Sequence, residues 1–170
     1  MNHFELFKIP ITLTPNMGQL KPKFYELSRK FHPDFFTNET EGEQSEALEV
    51  SSQINKAFKV FQNKDETIKY VLQLKGLLEE EEKYNLQPDF LMEMMDLNEQ
   101  MMEATMQGDE EATGKLKTTV AEAEAEIYEP VKEIIEEYEE GKTTTEELLR
   151  VKEYYYKKKY LNRILATMQR

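Results

Sequence analysis

Residues 20–36 read LKPKFYELSRKFHPDFF. Leu20, Phe24, Leu27 and Phe31 recur at intervals of four, three and four, which puts them on one helix face. The spacing predicts a helix from about Gly18 to Phe31, with Pro22 early in it. Pro33 ends that helix, because the residue before a proline is pushed out of the helical region. The same helix carries Lys21, Lys23, Arg29 and Lys30 against Glu26 alone. His32 and Asp34 are expected on an exposed corner whose direction Pro33 fixes.

Working outward, Phe4, Leu6, Phe7 and Ile9 form a short apolar segment closed by Pro10. Residues 32–44 are polar and read as a loop. A second long helix follows, with Ala47, Val50, Ser51, Ile54, Ala57, Phe58 and Phe61 along one side. The two stripes are wide enough to pack together as an antiparallel hairpin. A short helix from Thr67 to Lys75 offers Ile68, Val71 and Leu72.

Residues 76–87, with Gly76 and the acid run Glu79–Glu82, read as a connector. Pro88 and Asp89 suit the first turn of a new helix. Phe90, Met94, Leu97 and Met101 give that helix a seam. Leu116, Val120, Ala123, Ile127, Val131, Ile134 and Tyr138 mark a second helix, kinked at Pro130 and capped by Gly141. Thr144-x-x-Glu147 is a capping box for a third, whose seam is Leu148, Val151, Tyr155, Leu161, Leu165 and Met168, interrupted by Lys158. The expected fold is all-α: a helical hairpin with short helices over residues 1–75, a connector over 76–87, and a three-helix antiparallel bundle over 88–170.

Composition narrows the chemistry. The absence of cysteine excludes disulfides, thiolate catalysis and cysteine-held metal clusters. His3 and His32 lie far apart, no D-x-D-x-D-G loop occurs, and no nucleophile–base pair is apparent. The chain is therefore expected to be no enzyme and to carry no metal or cofactor. It shows neither a signal peptide nor an apolar run approaching ~18 residues, so the cytoplasm is the expected compartment and no membrane partner is expected. Net charge is −12 and uneven: residues 1–76 balance, 77–149 carry −18 and 150–170 carry +6. Such a chain should be repelled by nucleic acid, and its asymmetry points to separate halves with separate protein partners.

One further pattern stands out in the helix from Pro88. Leu91, Met92, Met95, Asp96 and Glu99 make a second stripe beside the seam. Periodicity alone leaves two readings open: both stripes are core, or the second is a docking face, for which methionine is well suited.

The His32-Pro33-Asp34 triplet, closing a basic helix and opening a loop between two amphipathic helices, resembles a J-domain over residues 1–75. Ile54-Asn55-Lys56-Ala57-Phe58 resembles the third helix of that module. One departure is Phe35, where many J-domains have a basic residue. A J-domain followed directly by a bundle, with Tyr70-Val71-Leu72-Gln73-Leu74-Lys75-Gly76 and then Pro88-Asp89-Phe90-Leu91-Met92-Glu93, is similar to the HscB family of co-chaperones. That resemblance implies a DnaK-type (HscA-like) chaperone partner, contacted through His32, Pro33 and Asp34 with Lys21, Lys23, Arg29 and Lys30. It also implies an IscU-type iron–sulfur scaffold as client, held by Leu91, Met92, Met95, Asp96 and Glu99 and, on the last helix, Tyr154. The alternatives are a J-domain protein with a different client, and a structural helical adaptor with no chaperone partner.

Overall fold

A computed structural model of the chain describes residues 1–168; Gln169, Arg170 and the side chain of Met168, all expected within the bundle, lie outside the described residues. The described residues form helices and no strand. They divide into two compact units, one of residues 1–74 with 138–142, the other of residues 75–137 together with 143 onward.

In the first unit, α1 (His3–Phe7) precedes α2 (Met17–Lys30), α3 (Glu41–Gln62) and α4 (Lys64–Leu74). The helix predicted to start near Gly18 begins at Met17, because the Asn16 side chain accepts the Gly18 N–H at 2.9 Å. Pro22 sits inside α2. It removes one backbone donor there, and the helix continues past it. α2 and α3 pack as the expected hairpin, with the Phe24 and Phe58 rings stacked at 4.0 Å. Phe4, Phe7, Leu20, Ala47, Ile54, Ala57 and Phe61 are buried.

The loop expected over residues 32–44 is shorter than its composition suggested. Pro33–Phe36 forms a 3-10 turn, and α3 starts at Glu41 because Thr40 Oγ1 accepts the Glu43 N–H at 3.2 Å. The short helix expected from Thr67 starts at Lys64, with Asn63 accepting the Glu66 N–H. Thr67 is fully buried, and its hydroxyl donates to the carbonyls of Val60 and Asn63, clamping the α3–α4 corner.

The second unit is built on α5 (Pro88–Gln107), α6 (Glu110–Tyr128), the short α7 (Lys132–Glu136) and α8 (Thr145–Met168). α5, α6 and α8 pack pairwise around Met94, Leu97, Met101, Val120, Leu161 and Ile164. Gly108 makes the α5–α6 reversal possible. At φ 65° it occupies the left-handed region, while Asp109 N–H bonds back to the Ala104 carbonyl and Gly108 N–H to that of Thr105. Asp109 then caps α6 by accepting the Ala112 N–H.

Two expectations for the second bundle helix are corrected. Pro130 does more than kink it. The helix ends at Tyr128, passes through a 3-10 turn at Glu129–Val131 and resumes as α7, as the missing amide and the ring's clash with the preceding turn require. Gly141 is left-handed at φ 86°, but it caps no helix, since α7 has already ended at Glu136. The Thr144–Glu147 box is formed in both directions, at 3.2 and 3.0 Å.

Residues 75–87 hold no helix but pack closely with the second unit. Leu78 is buried, Glu82 accepts from Lys152 Nζ at 2.9 Å and from the Tyr156 hydroxyl at 3.1 Å, and Tyr84 stacks on Tyr156 at 4.6 Å. Lys152 and, less strongly, Tyr156 hold the Glu82 carboxyl below the usual carboxylate range. Lys158, which interrupts the α8 seam, is half-buried, and its ammonium reaches Asn162 at 3.1 Å and Glu124 at 3.9 Å.

Candidate functional site

Two surfaces carry the residues singled out in the sequence, one in each unit. In the first unit, α2 ends at Lys30 and Phe31 closes it. His32 follows in an extended conformation (φ −66°, ψ 130°), as a residue before proline must. Its Nδ1 accepts the Asp34 N–H at 3.2 Å, so the imidazole itself caps the 3-10 turn. The Phe35 N–H donates to the His32 carbonyl at 3.0 Å, and the turn packs against α3. Gln44, one turn into α3, donates to the carbonyls of Thr37 and Glu39 and ties down the rest of the loop. The result is a corner fixed at its backbone and open at its side chains. The His32 side chain is 53% exposed and that of Asp34 86%, with Nδ1 3.6 Å from the Asp34 carboxylate.

The four basic residues of α2 do not share one face. At 100° per residue, Lys21 lies on one flank of the apolar stripe, Lys23 and Lys30 on the other, and Arg29 nearly opposite the stripe. Lys21, Arg29 and Lys30 are exposed and Lys23 is half-buried. Lys23 Nζ donates to the Lys8 carbonyl at 3.4 Å, Arg29 Nε to the Tyr25 carbonyl at 3.4 Å, and Lys30 lies over the Phe31 ring. Positive charge therefore lies on several faces of α2, with Arg29 and Lys30 in its last turn beside the corner.

In the second unit, α5 carries two stripes with different fates. Met94, Leu97 and Met101 are core. Met92 is 69% and Met95 56% exposed, Asp96 and Glu99 are exposed, and Leu91 is half-buried between the two stripes. Of the two readings left open by periodicity, burial thus separates a core seam from an exposed apolar stripe. The stripe also runs further than the sequence reading took it: Met102 and Met106 are exposed and continue it at spacings of three and four. The signal was present in that spacing. Tyr154 lies apart from that stripe. It is only 8% exposed, with its ring 5.7 Å from that of Tyr128, so it packs within the unit rather than joining the exposed stripe. Three adjacent tyrosines on one helix must point in different directions, and the sequence does not say which faces in.

Among the described residues no three histidine or acidic side chains cluster as a metal site, and no helix is long and apolar enough to cross a membrane.

Comparison with known proteins bears on the chain's family. Residues 86–169 match the family model described as the HSCB C-terminal oligomerisation domain. A co-chaperone protein HscB homolog from Photobacterium profundum is 34% identical over 113 residues, and one from Vibrio vulnificus 37% identical over the same length. Each match spans 66% of this chain and 66% of the relative. The structure of chaperone HscB from Vibrio cholerae superposes with a TM-score of 0.77 at 25% identity, covering 99% of this chain and 96% of that one. Human co-chaperone protein HscB shares the fold, with a TM-score of 0.83 at 24% identity, covering 99% of this chain and 81% of that one. Sequence, family model and fold agree, and the chain belongs to the HscB family of co-chaperones.

Proposed function

We propose that this chain switches on the ATPase of a DnaK-type chaperone through His32, Pro33 and Asp34, and that it brings an IscU-type iron–sulfur scaffold to that chaperone on the outer face of α5. In this reading residues 1–75 act as the J-domain and 88–170 as the client-binding bundle, joined by residues 76–87, and the protein works in the cytoplasm. The observation that carries it is the corner at His32: an imidazole and a carboxylate held outward on a backbone that proline and a local cap fix. Lys21, Lys23, Arg29 and Lys30 steer this end toward an acidic surface, and that contribution weakens with salt. Leu91, Met92, Met95, Asp96 and Glu99 receive the client, the thioethers adapting to its surface and the carboxylates setting orientation.

The chain performs no bond chemistry in this account; ATP, its metal and the cluster belong to the partners. Its contribution is to join two binding events in one polypeptide, which raises the effective concentration of client near chaperone. The test is the steady-state ATPase of a purified DnaK-type chaperone with the full chain, with and without a purified IscU-type scaffold. The chain should raise the rate and the scaffold should raise it further. A rate that the chain leaves unchanged overturns the chaperone role; a rate indifferent to the scaffold overturns the client.

A further inference from the structure

Beside His32 lies a cleft of about 360 Å³ lined by Tyr25, Ser28, Arg29, His32 and Phe35. Two of these residues are large aromatics left in solvent: Tyr25 is 60% exposed and Phe35 71%. The Phe35 ring stands edge-on to the imidazole of His32, with centroids 6.2 Å apart and planes at 77°. The next residue, Phe36, turns inward and is half-buried, so the exposure of Phe35 follows from the geometry of the 3-10 turn. Lys21 and Arg29 lie one turn to either side of Tyr25, so the cleft has an apolar floor and a cationic rim.

The geometry points to this cleft as a specificity-determining pocket of the chaperone contact, receiving from the chaperone an apolar side chain that sits beside a carboxylate. This rests on the reading of the corner as the chaperone-binding site. Any partner that reaches the His32 imidazole must also cover Phe35, because the two rings are in contact distance. A surface that covered Phe35 and Tyr25 with polar groups would desolvate those groups without return. An apolar side chain fills the space, and a carboxylate beside it meets Arg29 and Lys21. Exposed aromatic and arginine side chains grouped around a pocket are the residue types that dominate binding energy. Where a basic residue after the triplet would contribute a charge that salt screens, Phe35 contributes burial, which salt does not screen. The chain is thereby matched to a chaperone whose surface carries that apolar group.

The test is a titration of a purified DnaK-type chaperone's ATPase with the full chain, wild type and variants, at 50 and 250 mM KCl. Phe35→Ala should raise the half-saturating concentration at least tenfold at both salt levels and leave the plateau rate within twofold. Tyr25→Ala should raise it at least threefold. Phe35→Leu should stay within threefold of wild type, and Arg29→Ala should lose more at low than at high salt. Both aromatics are largely exposed, so thermal melting should not move, and a shifted half-saturation cannot then be a folding defect. A Phe35→Ala variant within twofold of wild type, or one that loses plateau rate with unchanged half-saturation, overturns the pocket while the chaperone reading stands. A wild-type chain that stimulates no ATPase removes the chaperone reading, and the pocket with it.

Discussion

At the end of α2, charge is presented by three residues whose backbone has almost no freedom: Pro33 fixes its own φ and the conformation before it, and His32 caps the turn that follows. Along α5 nothing is fixed so locally. Met92 and Met95 stand in solvent two residues before and one residue after the core position Met94 of the same helix, and only the rotation of that helix decides which methionine is surface and which is core. The first surface is rigid, polar and set by three letters; the second is adaptable, apolar and set by packing over four turns. The difference teaches where each kind of recognition comes from. A corner can be read from proline and its neighbours, whereas a face can be read only once the opposite face has been buried.

That contrast can be broken most directly within α5. Met101→Ala should cost the second unit about 2–5 kcal/mol, the ordinary range for truncating a fully buried methionine, read as a lower unfolding midpoint in urea. Met92→Ala combined with Met95→Ala should leave that midpoint unchanged and weaken scaffold binding by about 1–3 kcal/mol, measured by calorimetry. Equal loss of stability in both variants would erase the distinction between the stripes.

A smaller effect, of about 1 kcal/mol, is expected from Thr144→Ala, which removes the side-chain acceptor of the α8 cap. It should lower the midpoint of the second unit without touching ATPase stimulation.

The smallest effect is a difference in acid response between the units. Burial, and then Lys56, hold the His3 imidazole below its ordinary value of 6.5, so the unfolded chain takes up that proton first. The stability this contributes to the first unit is in place above pH 6.5 and drains away as pH falls below it. In the second unit Glu82 and Glu147 are held below their ordinary 4.5, by Lys152 and by the Thr144 amide respectively. Their contribution is in place above pH 4.5 and is lost as pH falls through their lowered values. Amide protection factors, corrected for the intrinsic pH dependence of exchange and followed from pH 7.5 to 5, should therefore fall in α1 and α4 before they fall in α8, and His3→Asn should abolish the lead. A simultaneous fall in protection would contradict the assignment.

The hairpin was legible because Leu20, Phe24 and Leu27 repeat at helical spacing around few competing signals, and Pro33 marks its end without ambiguity. The start of α3 was not read, although Thr40-x-x-Glu43 is a capping pattern, because Gly42 and the polar run around it look like loop. The break at Pro130 was placed correctly but its depth was not. Whether a proline bends or splits a helix depends on how the neighbouring helices pack, and no single segment encodes that. The burial of Tyr154 was not legible for a related reason: among Tyr154, Tyr155 and Tyr156 the register is set by Leu161 and Ile164 further along α8, and the sequence pattern does not single out Ile164. Phe35 was visible as a departure from the J-domain pattern, but the cleft it forms with Tyr25 needs the 3-10 turn to be known first.

The central claim is that the imidazole of His32 acts outward on a chaperone. It is tested most directly by single-turnover ATP hydrolysis on a DnaK-type chaperone with His32→Gln, at a concentration that saturates for the wild-type chain. The account predicts that hydrolysis falls to the unstimulated rate while the variant melts as the wild type does. Hydrolysis as fast as with the wild-type chain would contradict it.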